Sequence, residues 1–314
     1  MRNRRSGFTL IEILVVVTII AVLAALSLKV IGSTMDLARD ASTKTTLNKI
    51  QGLLNSRAQA LDRLQQRNGY LTGSTEFTQF AVKVSGGDTN LQQIVARKLL
   101  QIKYFPQSRA DFKSLYGGTI QQIYPNLNPG GSVFLPGSPN LSNEEILYDF
   151  LTQENVIGGV PIGSDAFNAA EVQDKNGNGL PEFIDGWGTP IRFYRWPTHL
   201  FRASTGAAID PTIAKKLFST LPAFSGNLTN DLARDPDDPL QSTLAVDTNM
   251  NQAGYFETNY HTPVTFHVFL VVSAGADQRF GMDSPDTGDA LGKVTDSAAL
   301  EDDILYLNIR AGGK

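Results

Sequence analysis

The chain has 314 residues, of which 41% are hydrophobic and 18% charged, a composition that predicts a folded protein with one large domain or two small ones. It contains no cysteine, which excludes disulfides, a thiol nucleophile and a cysteine-based zinc site. Residues 1–67 hold ten Lys/Arg and four Asp/Glu, and because the net charge of the chain is −4, the remainder carries −10. This acidic remainder suits solvent and cations, and its lack of a basic cluster argues against nucleic-acid binding.

The first element in chain order is an apolar run from Phe8 to Leu28, preceded by three arginines. A helix needs about 20 apolar residues to span a bilayer, and this run is long enough. A secretory signal peptide would have an apolar region of about 7–15 residues with a small-residue cleavage site after it, whereas here the small residue, Gly7, comes before the run. The pattern therefore predicts a single membrane-spanning helix with a cytoplasmic N-terminus. Only four of its residues are polar: Thr9, Glu12, Thr18 and Ser27.

Glu12 is the residue that a plain membrane anchor does not explain. An ionised carboxylate within lipid costs about 2.5–3.5 kcal/mol on insertion scales, so it needs a partner. An isolated helix offers no counter-charge, because the nearby Thr9 and Thr18 cannot neutralise a carboxylate.

At these residues, "SGFTLIEILVVVTII", the chain resembles the class III signal of type IV pilins and type II secretion pseudopilins. The resemblance implies that a membrane prepilin peptidase cuts after Gly7 and methylates the new N-terminal residue, Phe8. It also implies that Glu12 pairs with the amino group of Phe8 on a neighbouring subunit during filament assembly. The buried charge would then be satisfied by the next chain, which favours assembly in register.

The helix is expected to continue beyond the membrane, because apolar residues recur at three- and four-residue intervals along one face. Asn68-Gly69 is a good C-terminal stop, so one helix is predicted from about Phe8 to Arg67, with a possible bend near Gly32 or Gly52. The apolar stripe could form a coiled-coil seam with a partner, or it could pack under a globular head of the same chain. Its residues are Leu47, Ile50, Leu53, Leu54, Ala58, Leu61 and Leu64.

The head is predicted to begin near Tyr70 and to be α+β. Helices are expected at about 91–103 and from 142, where Ser142 and Glu145 form a capping-box pattern. The segment 124–140 is rich in Gly, Pro, Asn and Ser and is typical of a loop. Three strand-like segments come late in the chain, which favours helices packed on a C-terminal antiparallel sheet. These segments are "PIRFYRWP", "TPVTFHVFLVVSAG" and "DILYLNIRA".

This pattern divides the chain into four parts. Residues 1–7 form a basic prepilin leader, 8–31 the transmembrane half of the long helix, and 32–68 its amphipathic half. Residues 69–314 form the extracytoplasmic head, in which 74–170 is an insert without a counterpart in the resembled family.

The first of two acidic stretches, "DKNGNGLPEFID", approximates the ligand order of an EF-hand calcium loop. Asp174, Asn176 and Asn178 supply oxygens at positions 1, 3 and 5, and Gly179 stands at the sharp turn of position 6. The Leu180 carbonyl and Asp185 would follow at positions 7 and 12. Asp185 is shorter than the usual bidentate glutamate, and Pro181 lacks a backbone donor. An ordinary pair of Asn-Gly turns is the alternative interpretation.

The second stretch extends the resemblance. "DGWGTPIRFY", "VVSAGADQRFG" and "EDDI" look like the C-terminal part of the major type II pseudopilin, in which such segments form a calcium site. Carried over to matching positions, this implies ligands at Ser273, Asp277, Asp302 and Asp303. Gln278 stands where the family often has glycine, and residues 281–300 separate the two halves by more than the family pattern. A solvated acidic loop is the alternative.

No catalytic motif is recognised, so the expected protein is not an enzyme. The expectation is a type II secretion pseudopilin with calcium as candidate cofactor. Its partners would be other subunits, the prepilin peptidase, the inner-membrane assembly platform and membrane lipid, with the head periplasmic or extracellular. The alternatives are a type IV pilin or minor pilin subunit, and a membrane-anchored protein whose head binds an exoprotein or polysaccharide.

Overall fold

The computed structural model describes residues 9–66, 89–109, 111, 141–152, 166–197, 269–286 and 292–307, with the side chains of residues 25–33, 64–66, 95, 99 and 307 outside that description. The fold is α+β, as the sequence predicts. In chain order the described elements are α1 (Leu10–Gln66), α2 (Thr89–Tyr104), α3 (Asn143–Thr152), β1 (Val172–Gln173), β2 (Glu182–Phe183), β3 (Arg192–Tyr194), β4 (Leu270–Ser273), α4 (Ser297–Asp302) and β5 (Ile304–Leu307).

The long N-terminal helix α1 is continuous over 57 residues. Its apolar stripe lies in the core of the same chain, since Leu47, Ile50 and Leu54 are fully buried and Leu61 is nearly so. Leu53 belongs to the same cluster, which also contains side chains from α3, β3 and β4. The stripe therefore packs under the chain's own head, and the coiled-coil alternative is not needed to bury it.

The C-terminal sheet has three antiparallel strands in the order β3-β4-β5, with β4 in the centre. All four residues of β4 are buried, and because successive side chains point to opposite faces, both faces of this central strand are covered, with α1 in contact with the strand. Val271 pairs with Phe193 on one side and with Tyr306 on the other. A separate two-stranded pair, β1 with β2, flanks the first acidic loop.

Helix α3 begins with the predicted capping box. The backbone N–H of Ser142 donates to Glu145 Oε2 at 2.8 Å, and the backbone N–H of Glu145 donates to Ser142 Oγ at 3.2 Å. Asn143 then joins the helix to the sheet, because its side-chain oxygen accepts from Phe193 N at 2.7 Å and its amide donates to Phe193 O at 2.8 Å. These contacts fix α3 against β3, next to the acidic loop.

Hydrogen bonds join the head to α1 at Glu171 and at Gly186. The Lys49 ammonium donates to both carboxylate oxygens of Glu171 at 2.8 Å. The backbone N–H of Gly186 donates to Thr43 Oγ1 at 2.8 Å. The turn approaches the helix so closely there that a Cβ on Gly186 would lie 2.5 Å from the carbonyl oxygen of Arg39.

Several predictions lie outside the described residues. They are the leader with Gly7 and Phe8, the helix stop at 68–69, the loop at 124–140, most of the 74–170 insert, and the first part of the second strand segment, at 262–268.

Candidate functional sites at the start of the long helix and in the acidic loops

Glu12 lies in the first turn of α1, where Thr9 supplies a capping box. Glu12 Oε2 accepts from the backbone N–H and the hydroxyl of Thr9, both at 2.8 Å, and Glu12 N donates to Thr9 Oγ1 at 3.3 Å. Thr9 solvates the carboxylate without neutralising it, so the bonds that the structure describes give Glu12 no counter-charge. Since the contact uses only residues 9 to 12, it does not depend on the leader.

The apolar side chains that follow Glu12 along the described part of α1 are exposed. Nine large apolar residues from Leu10 to Ile20, and then Val22 and Leu23, are exposed, from 49% for Val15 to 82% for Leu10. Thr18 is satisfied locally, because its hydroxyl donates to Leu14 O at 2.6 Å. Over the residues that the structure describes, a stretch with the length and apolar character of a membrane span is not found in any helix. The transmembrane half at 8–31 remains a prediction.

The first acidic loop is organised by the Asp174 carboxylate. Its Oδ1 accepts from Gly177 N at 2.7 Å, and its Oδ2 accepts from Gly179 N at 2.8 Å. Gly177 and Gly179 have φ values of +73° and +90°, a region that glycine adopts without strain. The sharp turn predicted at Gly179 is therefore present, between β1 and β2.

Glu145 and Glu182 are two site residues that sequence reasoning missed. Glu145 Oε1 accepts from the side-chain amides of both Asn176 and Asn178, at 2.6 Å each. Glu182 Oε2 accepts from Lys175 N at 2.9 Å. Both glutamates are almost fully buried, with 1% and 2% of their surface exposed. Glu182 occupies position 9 of a twelve-residue calcium loop and could have been found from that spacing, whereas Glu145 lies on another element.

The loop and the start of α3 concentrate negative charge. Burial raises the pKa of Glu182 to about 7, and the neighbouring carboxylates of Glu145, Asp174 and Glu144 add to the rise, although the Lys175 N–H opposes it. Burial also raises the pKa of Glu144, helped by Asp286 and opposed by Arg192. The Glu182 carboxyl therefore takes up its proton at a higher pH than an ordinary glutamate does.

Asp185, predicted at position 12 of the loop, has other partners. Its Oδ1 accepts from Trp187 N at 2.9 Å and Thr189 N at 2.8 Å, which closes the turn after β2. Its Oδ2 accepts from the hydroxyl of Ser273 at 2.7 Å. None of these donors belongs to residues 174–180, so the structure does not join Asp185 to the other loop residues through these bonds.

The four ligands predicted in the second acidic stretch also have separate partners. Ser273 is buried on β4 and binds Asp185, whereas Asp277 N donates to Asp302 Oδ2 at 2.7 Å and Gly281 N donates to Asp303 Oδ2 at 2.9 Å. The structure thus brings the 273–281 loop against Asp302 and Asp303 through backbone donors. Within the described ranges, no three His, Cys, Asp or Glu side chains are grouped so that they could hold a metal ion.

Comparison with known proteins adds one match. Residues 2–28 match the family model described as the prokaryotic N-terminal methylation motif. The motif supports, broadly, a place among type IV pilin-like and pseudopilin proteins, and it implies processing by a prepilin peptidase and assembly into pilus-like filaments. Comparisons with curated proteins and with solved structures found no match.

Proposed function

We propose that this chain is a structural subunit of a type II secretion pseudopilus. It would insert in the inner membrane, lose its leader after Gly7, and join a periplasmic filament that drives protein export. The observation that carries the proposal is the methylation motif at residues 2–28, which includes the start of the 57-residue helix α1.

The two halves of α1 support this function because they differ in what covers them. The second half is buried in the core of the head. The first half presents apolar side chains that its own chain leaves exposed, and exposed apolar surface of this extent marks a site that contacts lipid or protein. Membrane lipid would cover it before assembly, and the helices of neighbouring subunits would cover it in the filament.

Glu12 gives this packing a preferred register. Thr9 is its hydrogen-bond partner within the chain and carries no charge. After cleavage the amino group of Phe8 on the next subunit would supply the missing positive charge. The inner-membrane assembly platform and the prepilin peptidase are the further partners proposed, with the N-terminus cytoplasmic and the head periplasmic. The protein is proposed to act mechanically and not as an enzyme, and to bind no nucleic acid.

The experiment compares two substitutions that each remove a polar group from the same apolar stretch. Glu12→Val should insert in the membrane and stay out of filaments, or enter them only when mixed with wild type. Thr18→Val is the matched control, because the Thr18 hydroxyl is bonded to its own helix, and this variant should assemble normally. Assembly is measured by opening the outer membrane of cells that express the full chain and sedimenting the filaments that are released. Equal assembly of Glu12→Val and wild type would remove the role given to Glu12.

The absence of cysteine favours a pseudopilin over a surface pilin, whose head by resemblance often holds a C-terminal disulfide pair. A membrane-anchored binding protein is the alternative from a different class. Polymerisation by the purified, processed protein supports the filament subunit. A processed protein that stays monomeric and binds an exoprotein or polysaccharide saturably would support the alternative.

We also propose that the head binds calcium at the first acidic loop. Calcium prefers six to eight hard oxygens in a flexible site. Asp174, Asn176, Asn178 and the Leu180 carbonyl belong to one loop, and Glu145 and Glu182 add two buried carboxylates beside it. Because the described acidic side chains are not grouped as a ready metal site, binding would require the two asparagine amides to turn their oxygens inward, away from their present bonds to Glu145.

The calcium proposal is tested by melting the full chain in detergent with excess chelator or with millimolar calcium. Calcium should raise the melting temperature, and magnesium should raise it less because magnesium demands tight octahedral geometry. Asp174→Ala should abolish the effect if the first loop is the site, whereas Asp277→Ala should abolish it if the second stretch is. Identical melting in chelator and in calcium would refute both sites and leave the filament proposal untouched.

A further inference from the structure

The loop between β1 and β2 contains two successive Asn-Gly pairs, Asn176-Gly177 and Asn178-Gly179. In such a pair the backbone nitrogen of glycine can attack the Cγ of the preceding asparagine, because no glycine side chain obstructs the approach. Asparagine is one of the thermolabile residues for this kind of reason. Asn176 and both glycines are exposed, and Asn178 is partly exposed, so water reaches the loop.

Both glycine nitrogens that would attack are already engaged in hydrogen bonds. Gly177 N and Gly179 N both donate their protons to the Asp174 carboxylate, at 2.7 and 2.8 Å. Attack on Cγ requires the nitrogen to lose this proton and to turn its lone pair toward the side chain. A charge-assisted hydrogen bond from each nitrogen opposes both steps.

The side-chain amides of both asparagines are also engaged in hydrogen bonds. The nitrogens that would leave as ammonia donate to Glu145 Oε1 at 2.6 Å each. The side-chain oxygens accept from backbone N–H groups, Asn176 Oδ1 from Asn178 N at 3.0 Å and Asn178 Oδ1 from Leu180 N at 2.9 Å. Each amide is thus held at both ends and cannot rotate toward the neighbouring glycine nitrogen without breaking these bonds.

We propose that Asn176 and Asn178 are deamidation sites whose conversion is held back by the contacts of Asp174 and Glu145. In the reaction the glycine nitrogen forms a bond to Cγ and the Cγ–Nδ2 bond breaks. The leaving Nδ2 group takes the proton of the glycine N–H and departs as ammonia. Water then opens the cyclic imide to aspartate or isoaspartate, so the step needs no other reactant.

Conversion would alter the contact between the loop and α3. A carboxylate oxygen would replace an amide nitrogen that now lies 2.6 Å from Glu145 Oε1, and two negative oxygens cannot share that distance without a proton or a cation. The loop would therefore separate from the start of α3. Aspartate at positions 3 and 5 would also make the loop a more anionic cation site, a consequence that, unlike deamidation itself, rests on the proposed calcium site.

The test measures deamidation of the purified full-length chain by peptide mass spectrometry over several days at mildly alkaline pH, in chelator. Asn68-Gly69, in the same digest, serves as an internal reference. The variant Asp174→Asn removes the negative charge that holds the two glycine nitrogens. Asp296→Asn is the matched control, because it makes the same chemical change at a carboxylate that accepts from two other backbone N–H groups, Ala298 N and Ala299 N, and Ser297, not glycine, follows it.

Relative to Asn68, deamidation at 176 and 178 should be about tenfold or more faster in Asp174→Asn than in wild type, as expected when charge-assisted contacts are lost. Asp296→Asn should match wild type at positions 176 and 178. The same wild-type peptides in denaturant should deamidate faster than in the native chain, a comparison that does not depend on any variant folding. Equal native and denatured rates in wild type, or equal rates in Asp174→Asn and Asp296→Asn, would overturn the proposal.

Discussion

Replacing Gly186 by alanine tests how closely the head packs against α1. The added Cβ would lie 2.5 Å from the carbonyl oxygen of Arg39 and 2.8 Å from its Cα. Carbon atoms in van der Waals contact are about 3.5–4.0 Å apart, so the turn would have to retreat from the helix by about 1 Å. The hydrogen bond from Gly186 N to Thr43 Oγ1, now 2.8 Å, would then be lost or weakened.

The size of the effect follows from these two contacts. Overpacking of a well-packed site costs about 1–3 kcal/mol, and loss of one hydrogen bond about 1 kcal/mol. Against this, alanine restricts the unfolded chain and returns about 0.4–1 kcal/mol. Gly186→Ala should therefore lower the free energy of unfolding by about 2–3 kcal/mol, and the melting temperature should fall by about 2–4 °C for each kcal/mol.

Gly52→Ala is the matched control, because it makes the same substitution in α1 where nothing lies within 4 Å of the added Cβ. It should raise stability by about 1 kcal/mol, the difference in helix propensity between glycine and alanine. Both variants and wild type are compared as full chains by thermal and denaturant unfolding in the same detergent. The reasoning fails if Gly186→Ala is as stable as wild type, since the turn would then not be pressed against Arg39.

Three further predictions concern processing, the helix cap and pH. A bulky residue at Gly7 should block leader cleavage, whereas the mature wild type should begin at N-methyl-Phe8; mass spectrometry decides this, and recovery of uncleaved wild type from cells with an active prepilin peptidase would contradict it. Thr9→Ala should speed amide hydrogen exchange in the first turn of α1, because the hydroxyl donates to Glu12 Oε2 and accepts from Glu12 N, and both bonds are lost; unchanged exchange would show that the cap is not formed. Burial raises the pKa of Asp185, so its contribution to stability is present below its ordinary pKa of about 4 and is lost as the pH rises through the raised value. Asp185→Asn should therefore gain stability relative to wild type across that interval in denaturant unfolding at a series of pH values, and a constant difference would refute the assignment.

The fold was predictable where its signal is local or periodic. The stripe through Leu47, Leu54 and Leu61 recurs with the helical period, and burying one such face is what holds a long helix on a head. The capping box of Ser142 and Glu145 uses residues three apart, so spacing alone reveals it. The order of helices followed by strands favoured α+β, although only the structure could show that β4 lies between β3 and β5.

The acidic loop was predictable only in part, because its chemistry combines near and distant residues. The position of Gly179 in the turn follows from the spacing of the loop, and so does that of Asp174. Glu145 was predicted as a capping-box residue, but no motif predicts its contacts with Asn176 and Asn178, which it reaches from α3, 31 and 33 residues earlier in the chain. Contacts of that kind depend on how α3 docks on β3, which Asn143 determines and no spacing rule contains.

Asp185 and Ser273 show why acidic turns resemble metal sites in a sequence. A carboxylate that closes a turn must accept backbone N–H groups, and a carboxylate that binds a cation must present free oxygens, yet both needs select aspartate beside glycine. Asp185 accepts from Trp187 N, Thr189 N and the Ser273 hydroxyl, so both of its oxygens already have donors. Glu182 differs in being buried among carboxylates with one backbone donor at Oε2. Burial beside other carboxylates, not aspartate spacing, is therefore the feature on which the proposed calcium site in the first loop rests.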